Sequence, residues 1–317
     1  MRVIHGFENV PAESRGAALA IGNFDGVHRG HQALLKAARE EARSLGRQAG
    51  TILFEPHPRE FFQPDKPHFR LTPLPRKLQL LELYGLDLAV VLRFDAGLAG
   101  LTAEDFIDRV LVRGLGARHI VVGYDFRFGN GRGGDPDTLR RAGKSGGFGV
   151  TVVPQVAEAG EVFSSGAIRA ELAQGDVKGA GEALGHWWRV AGKVIGGAKR
   201  GEGLGFPTAN LVLPPGTALL HGIYAVRVHV GDPRYDGAAY LGTRPMFDDG
   251  RPILEVFLLD FDGNLYDREI EVEFIDFVRA DAKFHSVEAL KEQMAKDVAR
   301  TRGILRQTPE NPQARHA

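Results

Sequence analysis

"AALAIGNFDGVHRGHQ", residues 17–32, decides how the first half of the chain is read. It opens on apolar residues, Ala17–Ile21, the composition of a strand covered on both faces. It then runs through Gly22, Asn23, Phe24, Asp25 and Gly26 to two histidines, His28 and His31, where a helix over 31–45 is predicted to begin. Residues three apart share a helix face, and the unpaired amides of a helix start attract anions. Gly26 and Gly30 are predicted to remove Cβ atoms where a ligand approaches closely. Two imidazoles at this spacing suit a metal or a phosphate. A metal needs a third ligand, and the His-Glu-x-x-His pattern of a metal helix is absent. The place after an apolar strand favours a phosphate whose charge grows in a transition state. A capped helix with no ligand is the plain alternative.

Outward from this stretch the same alternation continues. Apolar strands are read at "AGTILF" (49–54), "LAVVLRF" (88–94), "HIVVG" (119–123) and "GVTVVP" (149–154), and helices at 76–84, 103–115 and 135–143. Strands separated by helices imply a parallel sheet, with ligands beyond the carboxyl ends of the strands. Two loops at such ends can line a pocket. "FEPHPRE" (54–60) holds Pro56 and His57, and "GYDFRFGNGRGGD" (123–135) holds Asp125, Phe126 and Phe128, whose rings can stack on a flat ligand or pack in the core. "SSGAIR" supplies a further helix start, with Ser164 or Ser165 as cap and Arg169 about a turn in, an ordinary capped helix or a phosphate clamp. Gly143-Lys144-Ser145 imitates a P-loop ending, but Thr138 stands where the glycine belongs, so a helix stop is predicted there.

The second half changes character. From Arg189 onward strands follow one another without helices: "RVAGKVIG", "GIYAVRVHVG", "DGAAYLG", "PILEVFLLDF" and "EIEVEFIDFV". This predicts an antiparallel sheet or small barrel. Asp262-Gly263 suggests a hairpin within residues 260–267, and Glu269, Glu271 and Glu273 alternate as on a wet face. Glu255 differs, being the one carboxylate inside the apolar "ILEVFLL"; it is either a working acid or a residue on a solvent-facing edge. Thr208 and Asn210 of "PTAN" offer hard oxygen ligands suited to Mg²⁺ behind a glycine-rich flap, 192–205. A closing helix is capped by Ser286, with Val287, Leu290 and Met294 on one side. A boundary is placed within 175–186, giving domains 1–180 and 181–306 and a disordered tail, 307–317.

Composition narrows the function. Of 317 residues 43% are hydrophobic and 25% charged, and 40 basic residues balance 40 acidic ones, so no global field attracts nucleic acid. The absence of cysteine excludes disulfides and thiol catalysis and fits a cytoplasmic protein. The opening residues lack the apolar run of a secretory signal, and no run is long enough to span a membrane. Nothing in the sequence sets an oligomeric state.

In their joint order "GNFDGVHRGH", "FEPHPRE", "GYDFRFGNGRGGD", "SSGAIR", "GLGFPTANL", "GIYAV", "LGTRP", "LEVFLLDFDGNLY" and "KFHSVEAL" resemble the bacterial bifunctional riboflavin kinase and FAD synthetase family, over roughly residues 17–300. The resemblance implies a Rossmann-like nucleotidyltransferase domain that moves AMP from ATP to FMN, giving FAD and pyrophosphate. In it His28, His31, Asn23 and Arg169 would act on the ATP phosphates. Gly22, Phe24, Asp25, Gly26, Ser164 and Ser165 would shape that site, with Pro56, His57, Asp125, Phe126 and Phe128 beside the flavin. It further implies a β-barrel riboflavin kinase using ATP and Mg²⁺. There Glu255 would be the base, Thr208 and Asn210 the metal ligands, Gly192, Lys199, Gly203 and Gly205 the ATP flap, and Arg279 and Phe284 the flavin side. The chain departs from the family pattern at Gly166 and Ala167, where the family has a threonine, and at Met246. Rival readings are a chain with one working activity, a nucleotidyltransferase for another acceptor, and a flavin sensor without turnover.

Overall fold

The computed structural model describes residues 1–158, 161–196, 206–243 and 252–310. Lys199, Gly203, Gly205 and Met246 lie outside the described residues. Two compact units divide the chain, Met1–Ser164 and Ser165–Ala317.

The first unit is built on a parallel sheet of β1 (Arg2–His5), β2 (Ala18–Ile21), β3 (Ala49–Glu55), β4 (Leu88–Arg93), β5 (His119–Gly123) and β6 (Gly149–Val153), in the order β1-β4-β3-β2-β5-β6. The helices are α1 (Arg29–Leu45), α2 (Pro58–Phe62), α3 (Leu74–Leu83), α4 (Ala96–Ala99), α5 (Ala103–Asp105) and α6 (Pro136–Gly146). The helix read over 103–115 is three residues of α5 followed by a π-helical stretch, Phe106–Gly114. Alternate residues of one strand enter different cores: Leu19 and Ile21 pack on one side of the sheet, Ala18 and Ala20 on the other. That double coverage is why these strands read as unbroken apolar runs. Gly143-Lys144-Ser145 lies in α6, which Gly147 ends in the left-handed region (φ 73°), so the triplet belongs to a helix stop. All strands run parallel, but the chain adds β3 and β4 on one side of β2 and β5 and β6 on the other, so the loops after β2 and β5 flank a switch point. Edge strand β1, paired with β4, was not anticipated.

The second unit starts with α7 (Ser165–Ala173) and α8 (Val177–Leu184), after the short pair β7 (Ala157–Glu158) and β8 (Glu161–Val162) of the first. The 175–186 stretch is thus largely a buried helix, with Val177, Ala180 and Leu184 fully enclosed. Six antiparallel strands follow: β9 (Arg189–Lys193), β10 (Ala209–Val212), β11 (Gly222–His229), β12 (Arg234–Thr243), β13 (Pro252–Leu258) and β14 (Glu269–Ala280). Their order is β10-β13-β12-β11-β14-β9, and the Ile195 amide donates to the Asn210 carbonyl at 2.9 Å, which nearly closes the sheet into a barrel. Trp188, Tyr224 and Phe274 fill its centre, with Phe274 5.0 Å from Trp188 and 5.4 Å from Tyr224 between rings. Closing helix α9 (Val287–Gln307) is capped by Ser286, whose Oγ accepts from the Ala289 amide at 3.1 Å.

Four expectations change here. β13 and β14 are not partners, since β12 and β11 lie between them, so residues 260–267 form a crossing loop rather than a hairpin. Glu273 is not on a wet face but 3% exposed. Arg189 on β9 and Arg227 on β11 are its register partners, and Arg189 Nε donates to its carboxylate at 2.7 Å. Burial raises the Glu273 pKa, against the pull of Arg189, Arg227 and Arg234. Third, the tail residues Thr308 and Pro309 are held by Arg227, which donates to their carbonyls at 2.7 and 3.0 Å. Fourth, Val287 is 54% exposed and takes no part in the apolar face that α9 turns to the barrel.

Candidate functional site

The turn after β2 is backbone-strained. Phe24, Gly26 and Val27 all have positive φ (48°, 90° and 45°), a region that only glycine enters freely. Buried Asp25 holds the turn by accepting from the Leu71 and Thr72 amides at 3.2 and 3.0 Å, while the Gly26 amide donates to Thr72 Oγ1 at 2.7 Å. The turn delivers His28 as the cap of α1, its Nδ1 accepting from the His31 amide at 3.3 Å. The two imidazoles stack 3.7 Å apart. Gly30 leaves room for this stack: a Cβ there would lie 3.0 Å from the His28 ring and 3.2 Å from the Phe163 carbonyl. Burial first, then His28 and Lys77, holds the His31 pKa well below the ordinary value, so its ring is neutral near pH 7. His31 Nδ1 is buried without a hydrogen-bond partner among the described residues.

A cleft of about 680 Å³ opens at the switch point. Gly22 and Asn23 form one border, and Asp125, Phe126 and Phe128 another. Phe126 and Phe128 stack at 5.5 Å. The aromatic wall is larger than anticipated, for Phe54, Phe62, Phe94 and Phe106 also line it, from four separate segments. Ring contacts of 5.5 and 5.7 Å tie Phe61 and Phe62 to Phe94. Their convergence needs the sheet order, which no local pattern reveals; the signal in the sequence was only the pair Phe61-Phe62 after a strand end. Neither His28 nor His31 lines this cleft, so the histidine pair and the aromatic wall are separate parts joined by the Gly22–His28 turn. Pro56 and His57 stand outside it, although neighbouring Pro58 is in the lining. His57 instead caps α2, accepting from the Arg59 amide at 3.1 Å, with its ring 4.5 Å from that of His68. Burial and then His68 lower its pKa to about 4. Ser164 ends the first unit; Ser165 opens α7, where Arg169 Nη1 donates to the Ser165 carbonyl at 3.1 Å.

Two hollows mark the barrel. One, of about 320 Å³, is lined by Thr208, Tyr240, Glu255, Arg279, Phe284 and the α9 residues Leu290, Met294 and Asp297, among others. Glu255 stands on the interior strand β13, between β10 and β12, which removes the sheet-edge alternative. Its register partners are Asn210 and Tyr240. Arg279 reaches this hollow, but its guanidinium is committed to Asp297 at 2.7–3.1 Å and to the Ala280 carbonyl at 2.9 Å, and it lies 5.7 Å over the Phe284 ring. The second hollow, about 290 Å³, is lined by Pro207, Thr208 and the crossing-loop residues Asp262, Gly263, Asn264 and Tyr266. Thr208 therefore borders both. Asn210 is 5% exposed and its Nδ2 reaches toward the Thr208 carbonyl at 3.4 Å. Gly192 lies in β9 against Leu211 and lines neither hollow.

Comparisons with known proteins agree with this division. A model of the FAD synthetase family matches residues 10–167 and one of the riboflavin kinase family matches residues 184–305. The chain is 43% identical over 305 residues to a bifunctional riboflavin kinase/FMN adenylyltransferase of Pseudomonas fluorescens, covering 96% of this chain and 98% of that one. It is 42% identical over 299 residues to the protein of the same description in Escherichia coli K12, covering 94% and 96%. A solved chain described as a macrolide-efflux protein from Streptococcus pneumoniae superposes with a TM-score of 0.83 at 28% identity, covering 95% of this chain and 98% of that one. Among the described residues no helix is long and apolar enough to cross a membrane. Family models that match both halves, and relatives alike over nearly their whole length, show that the chain belongs to the bifunctional riboflavin kinase/FMN adenylyltransferase family.

Proposed function

We propose that the chain makes FMN from riboflavin and ATP in the barrel, and FAD from FMN and ATP in the parallel-sheet unit. The observation that carries the reading is Thr208 on the rim of two hollows, one holding Glu255 and the other walled by the crossing loop. A phosphoryl transfer needs such a junction, where acceptor and donor meet in line. In the barrel, riboflavin occupies the Glu255 hollow and the nucleotide the other. Glu255 takes the proton of the ribityl 5′-hydroxyl, the freed oxygen attacks the γ-phosphorus, and ADP leaves with the electron pair of the broken P–O bond. The Thr208 hydroxyl is a hard, neutral donor on this junction, suited to Mg²⁺ shared with substrate phosphates; Asn210, the register partner of Glu255, offers a second such oxygen but lines neither hollow. When bound, Mg²⁺ offsets phosphate charge there.

In the first unit the aromatic wall takes the isoalloxazine ring and Asp125 lies beside it. An FMN phosphate oxygen attacks the α-phosphorus of ATP, pyrophosphate leaves, and no protein nucleophile is required. The neutral His31 ring, stacked on His28, offers a hydrogen bond rather than a full charge to the phosphates. For Ser164, Ser165 and Arg169 the support is the sequence motif alone. The test is to incubate purified protein with riboflavin, ATP and Mg²⁺ and separate FMN from FAD over time. His31→Ala is expected to stop FAD formation at least 100-fold while FMN accumulates, on the order of one lost transition-state contact or more. Glu255→Ala is expected to stop FMN formation yet leave FAD formation from supplied FMN. Loss of both steps in either folded variant overturns the two-site reading.

A further inference from the structure

None of the steps above uses the buried amine of Lys77. Lys77 lies on α3, is 4% exposed, and donates from Nζ to the Asn23 carbonyl at 2.8 Å. Lysine is almost never this buried unless it is paired. Burial disfavours its charge; Asp25, Glu55 and Glu60 favour it and Arg70 opposes it. The carbonyl it holds belongs to Asn23, the residue that joins the cleft lining to the strained turn leading to the histidines.

The segment running into α3 clamps this turn at three points: the Asp25 carboxylate, the Gly26 amide and the Asn23 carbonyl. Only the third contact carries a positive charge. A peptide unit is planar with its carbonyl and N–H opposed, so pulling the Asn23 oxygen toward α3 turns the Phe24 N–H the other way. It also helps hold Phe24 at φ 48°, which the residue would not adopt unaided.

We infer that Lys77 is a positioning residue for adenylyl transfer, pinning the Asn23 carbonyl so that the turn between the flavin cleft and the histidine pair keeps its reactive shape. This rests on the reading of the first unit as the FMN adenylyltransferase. The groups facing His31 are His28 from its own segment, the Phe24 ring at 5.1 Å and Lys77 from α3. Lys77 is thus also a charge whose removal changes how readily that ring takes a proton.

The test compares Lys77→Met, which keeps the stem and loses the donor, with Lys77→Arg and wild type. Measured are kcat and KM for FAD formation from FMN, the riboflavin phosphorylation rate of the same preparations, the pH profile of kcat and the melting temperature. Lys77→Met is expected to lose at least tenfold in kcat with KM for FMN within twofold and phosphorylation unchanged. Lys77→Arg is expected to recover part of the loss, and the acid limb of the Lys77→Met profile to move to higher pH. A lowered melting temperature with kcat and pH profile unchanged, measured well below the transition, overturns the inference. If Lys77→Met does not fold, Lys77→Arg and Lys77→Gln decide by the same kcat and pH criteria. Absence of FAD formation by wild type would overturn the reading of the unit itself, whereas a defect confined to the variants concerns Lys77.

Discussion

At His31 and His57 burial and neighbouring groups withhold a proton that either ring would accept in water. In the unfolded chain both titrate near the ordinary value of 6.5, while in the folded chain His57 sits at about 4 and His31 well below its ordinary value. Between those limits the unfolded state binds protons that the native state does not, so stability is full above about pH 6.5 and falls as pH drops toward 4. The urea midpoint of the first unit should therefore decline over that window, and His57→Gln should flatten the decline. A second residue-scale outcome concerns Gly30. Gly30→Ala presses a methyl against the His28 ring and the Phe163 carbonyl, so FAD formation should fall by a factor of ten or more at unchanged riboflavin phosphorylation. The sequence made the histidine pair visible because both members lie in one short segment. It did not show what crowds Gly30, because those atoms include a carbonyl over a hundred residues away. Lys77 escaped for the same reason, as its partner Asn23 lies 54 positions earlier.

Among the elements, α9 is tied to the barrel by ion pairs at Asp297 and Arg302, the first the more enclosed. Arg279 on β14 grips Asp297 through Nε and Nη2, and Gln293 adds a donor to the same carboxylate at 2.9 Å. The pair is mostly enclosed, with side-chain exposures of 21% and 8%. Arg279 thus fixes the wall of the Glu255 hollow that it lines. Asp297→Ala should cost the second unit about 2 kcal/mol and raise KM for riboflavin several-fold, leaving FAD formation from FMN intact. Calorimetry and separate assays of the two steps check this. Most strands and helices were legible because their burial sets a period of the chain itself. The crossing loop and Glu273 were not. An Asp-Gly pair reads as a hairpin whichever strands it joins, and alternating glutamates read as wet until the arginines and tail residues that enclose them are known.

At the scale of the molecule each cavity described here is lined from one unit alone. The aromatic cleft belongs to Met1–Ser164, and both hollows of the barrel belong to Ser165–Ala317. Damage to either chemistry should leave the other, and mixing His31→Ala protein with Glu255→Ala protein should restore conversion of riboflavin to FAD, with FMN passing through solution. Recovery of FAD in the mixture, and in neither variant alone, is the measurement. The two-part architecture was legible from the change between helix-separated and helix-free strands, since that change follows from how sheets of each kind are covered. The aromatic wall was not, because its phenylalanines come together only when the strand order is known.

The shared rim at Thr208 has a practical corollary. Among the described residues Thr208 lines both chambers, so on the proposed reading one molecule could reach into each. A flavin joined to adenosine by a short polyphosphate tether would seat each end in its own chamber and gain from the effective concentration that linkage confers. Such a hybrid should block FMN synthesis far more strongly than its two halves supplied together, and inhibition by the hybrid should fade when either riboflavin or ATP is raised.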